Sequence, residues 1–516
     1  MISRIGKAAL LLAVLFVGVL PVLYLLLAND ELDTGLVSRL SWQNETFRLS
    51  WKTARLAMVT ACVSSGIAWA VCAMLRASAR PRFWLALYVL CFTVSPYIAA
   101  QGWIQILGVQ GTFWKLLALT PRAGMLFGPS GLVFMMSLQM TPLALFIFAS
   151  TYRPLDRESQ DLQALTKLPA WKKLYVFHLR PGKAPLLFAL VLVFWLAFWN
   201  YETPSILRQN TYALNLYAAF GSFYDDNQAL GYLFHALIYA VPTLVLIVWM
   251  SPALAANIRS LPHARENTNS RLQKLARLFG LSLIPLCGLV LPVAGLIGDL
   301  AGMESLTTAI QTILQYSGDI KNTLVVASSA SLIATMTCFA LVYLGSIVNA
   351  RAALALPALL LLIIPPLCTG IGAVHWFAEN SAGAAGLERI VLVNALILLP
   401  ILLLPASLAF PRNATARSDT RRLYHIGDLK QFALLARPVL LPRFLLLFGL
   451  GFLMAMKEVP ASLLNYPPDG STLALTIETM LHFDQPQLIS ALCLIQLLIS
   501  LVIFSTITVT SHLCQR

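Results

Sequence analysis

Residues 180–214 read Arg180-Pro181-Gly182-Lys183-Ala184-Pro185, then an apolar run, then Glu202-Thr203-Pro204-Ser205-Ile206-Leu207 and Thr211-Tyr212-Ala213-Leu214. Residues 437–475 repeat the order: Arg437-Pro438-Val439-Leu440-Leu441-Pro442, an apolar run, Glu458-Val459-Pro460-Ala461-Ser462-Leu463, and Thr472-Leu473-Ala474-Leu475. Arg437 lies 257 residues after Arg180, and the Pro-x-x-x-Pro spacing is the same in both copies. Membrane proteins built from two related halves place their transport path at the seam between them. The repeat therefore predicts a two-half transport protein.

Composition agrees with that class. Hydrophobic residues make up 58% of the chain and charged residues 11%, with a mean hydropathy of +0.76. A soluble domain is about one quarter charged, and apolar runs near 20 residues are long enough to cross a bilayer. The runs predict spans at 8–28, 55–75, 83–107, 130–151, 186–203, 230–252, 278–298, 323–347, 354–377, 389–409, 441–457 and 487–510. In 354–377, Pro365-Pro366, Gly370 and Gly372 predict a kink or break. Met1 to Leu27 begins with Arg4 and Lys7 and reads as a retained first span, its apolar run being too long for an ordinary signal peptide.

The net charge of +14 does not indicate nucleic acid, because the basic residues sit in short connections between apolar runs. Arg76, Arg80 and Arg82, the group from Arg153 to Lys183, Arg259 to Arg277, Arg351, Arg412 to Arg443 and Arg516 all fall on one side. The positive-inside rule makes that side cytoplasmic, with twelve spans and both termini in the cytoplasm. The polar, basic stretch 261–277 reads as a linker between a first half, 1–260, and a second half, 278–516. Lys321-Asn322-Thr323-Leu324 at the start of the second half's second span mirrors Lys52-Thr53-Ala54-Arg55 only loosely. The eight cysteines show no disulfide framework or metal spacing and read as small packing residues.

Two cytoplasmic connections, 152–184 and 411–441, are longer than a hairpin needs. Each holds a stretch able to form a short helix, 162–177 with Pro169 near its middle and 420–436, followed by the Pro-x-x-x-Pro element. These loops, their place before the fifth span of each half and the proline spacing resemble the permease subunits of binding-protein-dependent ABC importers. Asn200-Tyr201-Glu202-Thr203-Pro204 and Lys457-Glu458-Val459-Pro460, with Pro467-Pro468-Asp469-Gly470-Ser471-Thr472, resemble the fused permeases of the ferric-iron, thiamine and polyamine group. The fold this resemblance implies is all-α, about twelve transmembrane helices in two six-helix type I importer repeats. The implied partners are two cytoplasmic ABC ATPases, a periplasmic solute-binding protein and membrane lipid, in a bacterial inner membrane.

The family's loop carries Glu-Ala-Ala, three residues, Gly, and an aliphatic-x-Leu-Pro ending. Counted back from Pro181, those positions hold Leu162, Gln163 and Ala164, with Leu168 in place of Gly. Counted back from Pro438 they hold Asp419, Thr420 and Arg421, with His425 in the glycine position and Gly427 two residues later. These are the expected ATPase-docking residues. ATP is expected on the partner subunit, since the chain has no Gly-x-x-x-x-Gly-Lys-Ser/Thr loop. No metal or other cofactor motif appears.

An ionised side chain facing lipid costs about 2.5–3.5 kcal/mol on insertion scales, so Glu202, Lys457 and Glu458 are expected at the outer mouth of the path or in the headgroup layer. Gln101, Gln105, Gln139 and Asn394 fit interhelical hydrogen bonding better than substrate contact. Trp195, Phe198 and Trp199 fit packing, and His375 a structural role. The alternative expectation is a two-half secondary transporter driven by an ion gradient, which would need an ionisable residue buried at mid-membrane.

Overall fold

The computed structural model describes residues 45–109, 111–117, 125–151, 165–173, 180–223, 226–257, 271–300, 314–347, 354–379, 386–409, 441–468, 470–481 and 486–515, with Leu11, Leu162 and Val176. Among them every regular element is a helix. Seven helices are long and apolar enough to cross a membrane: Glu45–Arg76, Pro129–Thr151, Gly231–Met250, Gln273–Leu300, Ser317–Gly345, Glu388–Ser407 and Pro486–Thr510. A bent pair makes an eighth if counted as one span. Their outward faces carry large apolar side chains, such as Leu237, Val241, Val245 and Trp249, that only lipid would leave without penalty. The chain is an all-α membrane protein.

The described residues between Thr34 and Gly298 form one compact body, and those from Asp299 to Arg516 a second. The first body contains α1 (Glu45–Arg76), α2 (Pro81–Thr93), α3 (Pro96–Leu107), α4 (Thr112–Leu117) and α5 (Pro129–Thr151). After these come α6 (Arg180–Phe198), α7 (Glu202–Ile206), α8 (Tyr212–Tyr217), which runs into a π-helical turn, and α9 (Asp226–Asn257). Its last span is α10 (Arg271–Pro285), a π segment Leu286–Val290, and α11 (Leu291–Leu300), whose last two residues, Asp299 and Leu300, belong to the second body. The second body contains α12 (Ser317–Ile347), α13 (Ala355–Leu361), α14 (Pro366–Glu379), α15 (Glu388–Ala409), α16 (Leu441–Met456), α17 (Pro460–Asn465), α18 (Leu473–Met480) and α19 (Pro486–Gln515).

Prolines punctuate these elements. The run 83–107, expected as one span, is two helices bent by 88° at the junction of α2 and the segment beginning at Pro96. The ring of Pro96 disfavours helical backbone at the residue before it, and Ser95 is extended at φ −64°, ψ 144°. Pro96 then opens α3, where its missing N–H costs nothing. In the second body Pro365-Pro366 falls between α13 and α14, at the expected place. The span expected at 8–28 lies outside the described residues except for Leu11. Those expected at 186–203 and 441–457 are the shorter apolar helices Gly182–Phe198 and Leu441–Met456.

Inside each body the long opening helix is the packing centre. Helix α1 lies against α5 and α6 and presents them a buried stripe of small residues, including Thr53, Ala57, Ala61, Ser65 and Ala68. Small side chains let apolar helices approach closely where the hydrophobic effect between them is absent. Helix α12 lies against α15 and α16, and its buried stripe includes Thr323, Ala327, Ser331, Thr335 and Cys338. Each of these lies 270 residues after its counterpart in α1. Trp195 and Phe198 on α6 and Trp199 just past its end are buried, and the rings of Phe198 and Trp199 lie 5.3 Å and 5.9 Å from that of Tyr212.

The compact bodies divide at Gly298–Asp299, and residues 271–277 of the basic stretch form the start of α10. The physical reason is the packing of α10 on α1 and α2, and of α11 on α3. Leu281, Ile284, Gly288 and Leu296 are buried there, and Gly102 and Gly295 allow the two backbones to touch.

Candidate functional site

The repeated stretch that follows the fifth apolar run is, in each body, a short helix wedged among longer ones. In the first body α6 stops at Phe198 and Asn200 Oδ1 accepts the N–H of Thr203 at 3.0 Å, capping α7. Thr203 Oγ1 donates to Gln139 Oε1 on α5 at 3.2 Å. Past α7 the chain turns at Arg208, whose φ of 53° is the positive value a tight reversal needs. Gln209 Nε2 then donates to the carbonyl of Phe127 at 2.6 Å.

In the second body Glu458 does the capping. Its Oε1 accepts the N–H of Ala461 at 2.8 Å, and its Oε2 accepts the N–H of Ser462 at 3.0 Å and the Ser462 hydroxyl. Because Ser462 Oγ donates to the carboxylate, it receives rather than gives at its next contact, Asn394 Nδ2 on α15 at 3.1 Å. The direction of the chain from Asn394 through Ser462 to Glu458 is thereby set. Asn465 Nδ2 donates to Gly370 O on α14 at 3.0 Å. At Gly370 an added Cβ would lie 2.8 Å from Ala461 Cα, so α14 and α17 meet backbone to side chain with no room between. Gln496 Nε2 on α19 donates to Met456 O at 2.9 Å. That carbonyl ends α16, and Pro460, four residues on, has no N–H to offer it.

Beyond each short helix the two bodies make the same pair of bonds. Thr53 Oγ1 accepts the N–H of Tyr212 at 3.0 Å and donates to Leu49 O at 3.0 Å. Thr323 Oγ1 accepts the N–H of Leu473 at 2.7 Å and donates to Asp319 O at 2.7 Å. One residue earlier, Lys52 Nζ donates to Asn210 O at 3.3 Å, and Asn322 Nδ2 donates to Ser471 O at 3.0 Å. The pairing Lys52 with Asn322 and Thr53 with Thr323 corrects the looser match of Lys52 with Lys321.

Among the sequence-predicted residues, Glu458 is half-buried and occupied in capping α17, Lys457 is half-buried beside it, and Glu202 is half-buried at the start of α7. Gln139 and Asn394, read as interhelical, each bridge a span to a short helix. Of the expected docking residues, Leu162 and Leu168 are exposed and Pro181 lies in the first turn of α6. Gln163, Ala164, Asp419, Thr420, Arg421, Gly427 and Pro438 lie outside the described residues. The helix expected over 162–177 does not run through: residues 166–169 are non-helical and a single turn, Ala170–Lys173, follows. Pro169 accounts for this by excluding helical backbone at Leu168.

Sequence reasoning passed over Ser462, Asn465 and Gln496, and two carboxylates in the second body. Asp319 Oδ2 accepts from Thr476 Oγ1 at 2.7 Å, and Asp299 Oδ2 from Ser490 Oγ at 2.7 Å. It also passed over Glu478, buried on α18 at 2% exposure. The available signal was a lone polar residue inside an apolar run, as at Gln496. Among the described residues no three His, Cys, Asp or Glu side chains are grouped to hold a metal. Compared with protein-family models, curated proteins and solved structures, the chain has no match.

Proposed function

We propose that the chain is the fused permease subunit of a binding-protein-dependent ABC importer, with two six-span halves forming a path for a solute across a bacterial inner membrane. The observation that carries the reading is the doubled bond set. Thr53 and Thr323 hold the amides of Tyr212 and Leu473, while Lys52 and Asn322 hold the carbonyls of Asn210 and Ser471. Two stretches that share only scattered residues make the same contacts from the same place in the same helix order, which supports descent from one six-span unit. The motif-level resemblance around Pro204 and Pro460 supplies the family.

Under this reading two ATPases grip the loops near 162–177 and 420–436, and their closure on ATP turns the halves outward toward a loaded periplasmic protein. Hydrolysis resets them inward, an equilibrium driven by the difference in ATP affinity between the two states. Exposed Leu162, Leu165 and Leu168 in the first loop would make that grip apolar where the family uses a carboxylate. The test is purification of the full chain from native membranes in mild detergent. An ATPase that copurifies, and whose deletion abolishes uptake, supports the proposal; uptake that survives the deletion refutes it.

A second reading has one observation in its favour. Glu478 is a buried ionisable residue of the kind an ion-driven transporter of two six-span halves requires. Uptake that collapses with the proton or sodium gradient while ATP is present, and that fails in Glu478→Gln, would select it.

A further inference from the structure

Two interruptions lie side by side in the first body. One is the Val94–Ser95 break between α2 and α3, and the other is the π segment 286–290 between α10 and α11. A small cavity joins them, lined by Cys91, Val94 and Ala99 from the broken span, Leu138 and Gln139 from α5, and Gly288 from the π segment. The elements on either side are tied in matched pairs. On one side Tyr88 of α2 donates its hydroxyl to Leu281 O at 3.2 Å, and Arg277 of α10 donates to Ala77 O in the connection between α1 and α2. On the other side α3 and α11 meet backbone to backbone: an added Cβ at Gly102 would lie 2.3 Å from Pro292 O, and one at Gly295 would lie 2.3 Å from Gly102 O.

The π segment is held by one bond that the helix cannot make for itself. The N–H of Leu291 reaches back five residues to Leu286 O. The next partner in that register, for Cys287 O, is the nitrogen of Pro292, which carries no hydrogen. Trp103 Nε1 on α3 supplies the bond instead, at 3.0 Å. Widened turns of this kind are weak points in a helix and recur where function needs one.

We propose that the 94–95 break and the π segment 286–290 are one composite hinge. The block α3–α11 swings about it against the block α2–α10, and Trp103 is the catch that holds one position. Each block is internally tied, and the two interruptions face one another across the small cavity that both line. The hinge follows from the packing of this body alone and stands whether an ATPase or an ion gradient drives it.

The test uses the full chain in lipid nanodiscs with spin labels at Leu278 and Ile297, both exposed and on opposite sides of the π segment. Genetically encoded keto side chains carry the labels so that the native thiols stay silent. Nineteen residues apart on one helix, the labels sit ~28 Å apart along its axis, within range of dipolar spectroscopy. Two distance populations are expected. Trp103→Phe should shift their ratio and speed amide exchange over 286–291 by about tenfold, the effect of losing one buried bond. Gly288→Ala meets open space, so it stiffens without clash and should slow that exchange about fivefold. Gly298→Ala, also in open space but beyond the π segment, should leave it unchanged. A single narrow distance, or exchange over 286–291 that ignores Gly288→Ala, overturns the hinge even if Trp103→Phe fails to fold.

Discussion

Replacing Gly102 with alanine asks whether α3 and α11 are in backbone contact. The added Cβ would lie 2.3 Å from Pro292 O, 2.5 Å from its Cα and 2.6 Å from its carbonyl carbon. Nonbonded carbon atoms sit about 3.5–4.0 Å apart, so the helices would have to part by roughly 1 Å. None of the three atoms belongs to a side chain that can turn away. Overpacking of this kind costs about 1–3 kcal/mol. Gly66→Ala is the matched control, because its Cβ meets nothing within 4 Å and it carries the same gain in helix propensity. Thermal unfolding of both variants in one detergent should place Gly102→Ala well below Gly66→Ala, with Gly295→Ala close to Gly102→Ala. Equal midpoints for Gly102→Ala and Gly66→Ala would refute the contact, and with it the block α3–α11.

Thr53→Val and Thr323→Val each remove the hydroxyl that receives a buried amide, at a cost of about 1–3 kcal/mol. Unfolding midpoints should fall by similar amounts for the two, and Thr→Ser should restore both; a drop in only one would argue against equivalent roles. Glu458→Ala removes the cap of α17 and should cost about 0.5–2 kcal/mol. Amide exchange at 461–465 is the readout, and unchanged protection there would show that the carboxylate does not hold the helix. Gln496→Leu leaves Met456 O without its donor and should loosen the end of α16, seen as faster proteolysis near 457–459; unchanged cleavage there would show that this bond does not hold it.

Composition and the length of the apolar runs made the membrane class legible, and Pro365-Pro366 gave away the break between α13 and α14. The break at Pro96 was hidden, because one proline in an apolar run reads equally as a tolerated kink. What decides between them is the packing of α3 on α11, through Gly102 and Gly295, far apart in sequence from each other. The register between the halves was obscured for a related reason. Matching charge to charge aligns Lys52 with Lys321, but the structure aligns positions by the bond they make. A lysine and an asparagine serve alike, since each needs only an N–H for a carbonyl.

Prolines inside spans also leave a trace that a sequence reading can use, since every buried carbonyl they orphan must find a donor elsewhere. Pro285 lies inside α10 and cannot serve Leu281 O, and Tyr88 of α2 does so. This dependence can be measured as a double-mutant cycle. Tyr88→Phe in the native background removes the donor while keeping the ring, leaving a buried carbonyl bare at about 1–3 kcal/mol. In a Pro285→Ala background the N–H of residue 285 can close the ordinary helical bond to Leu281 O, so Tyr88→Phe should cost little. The difference, a coupling of about 1–2 kcal/mol, is what one shared carbonyl predicts. If Tyr88→Phe costs the same in both backgrounds, its hydroxyl is not the substitute for the proline's missing hydrogen, and α2 and α10 are held together by packing alone.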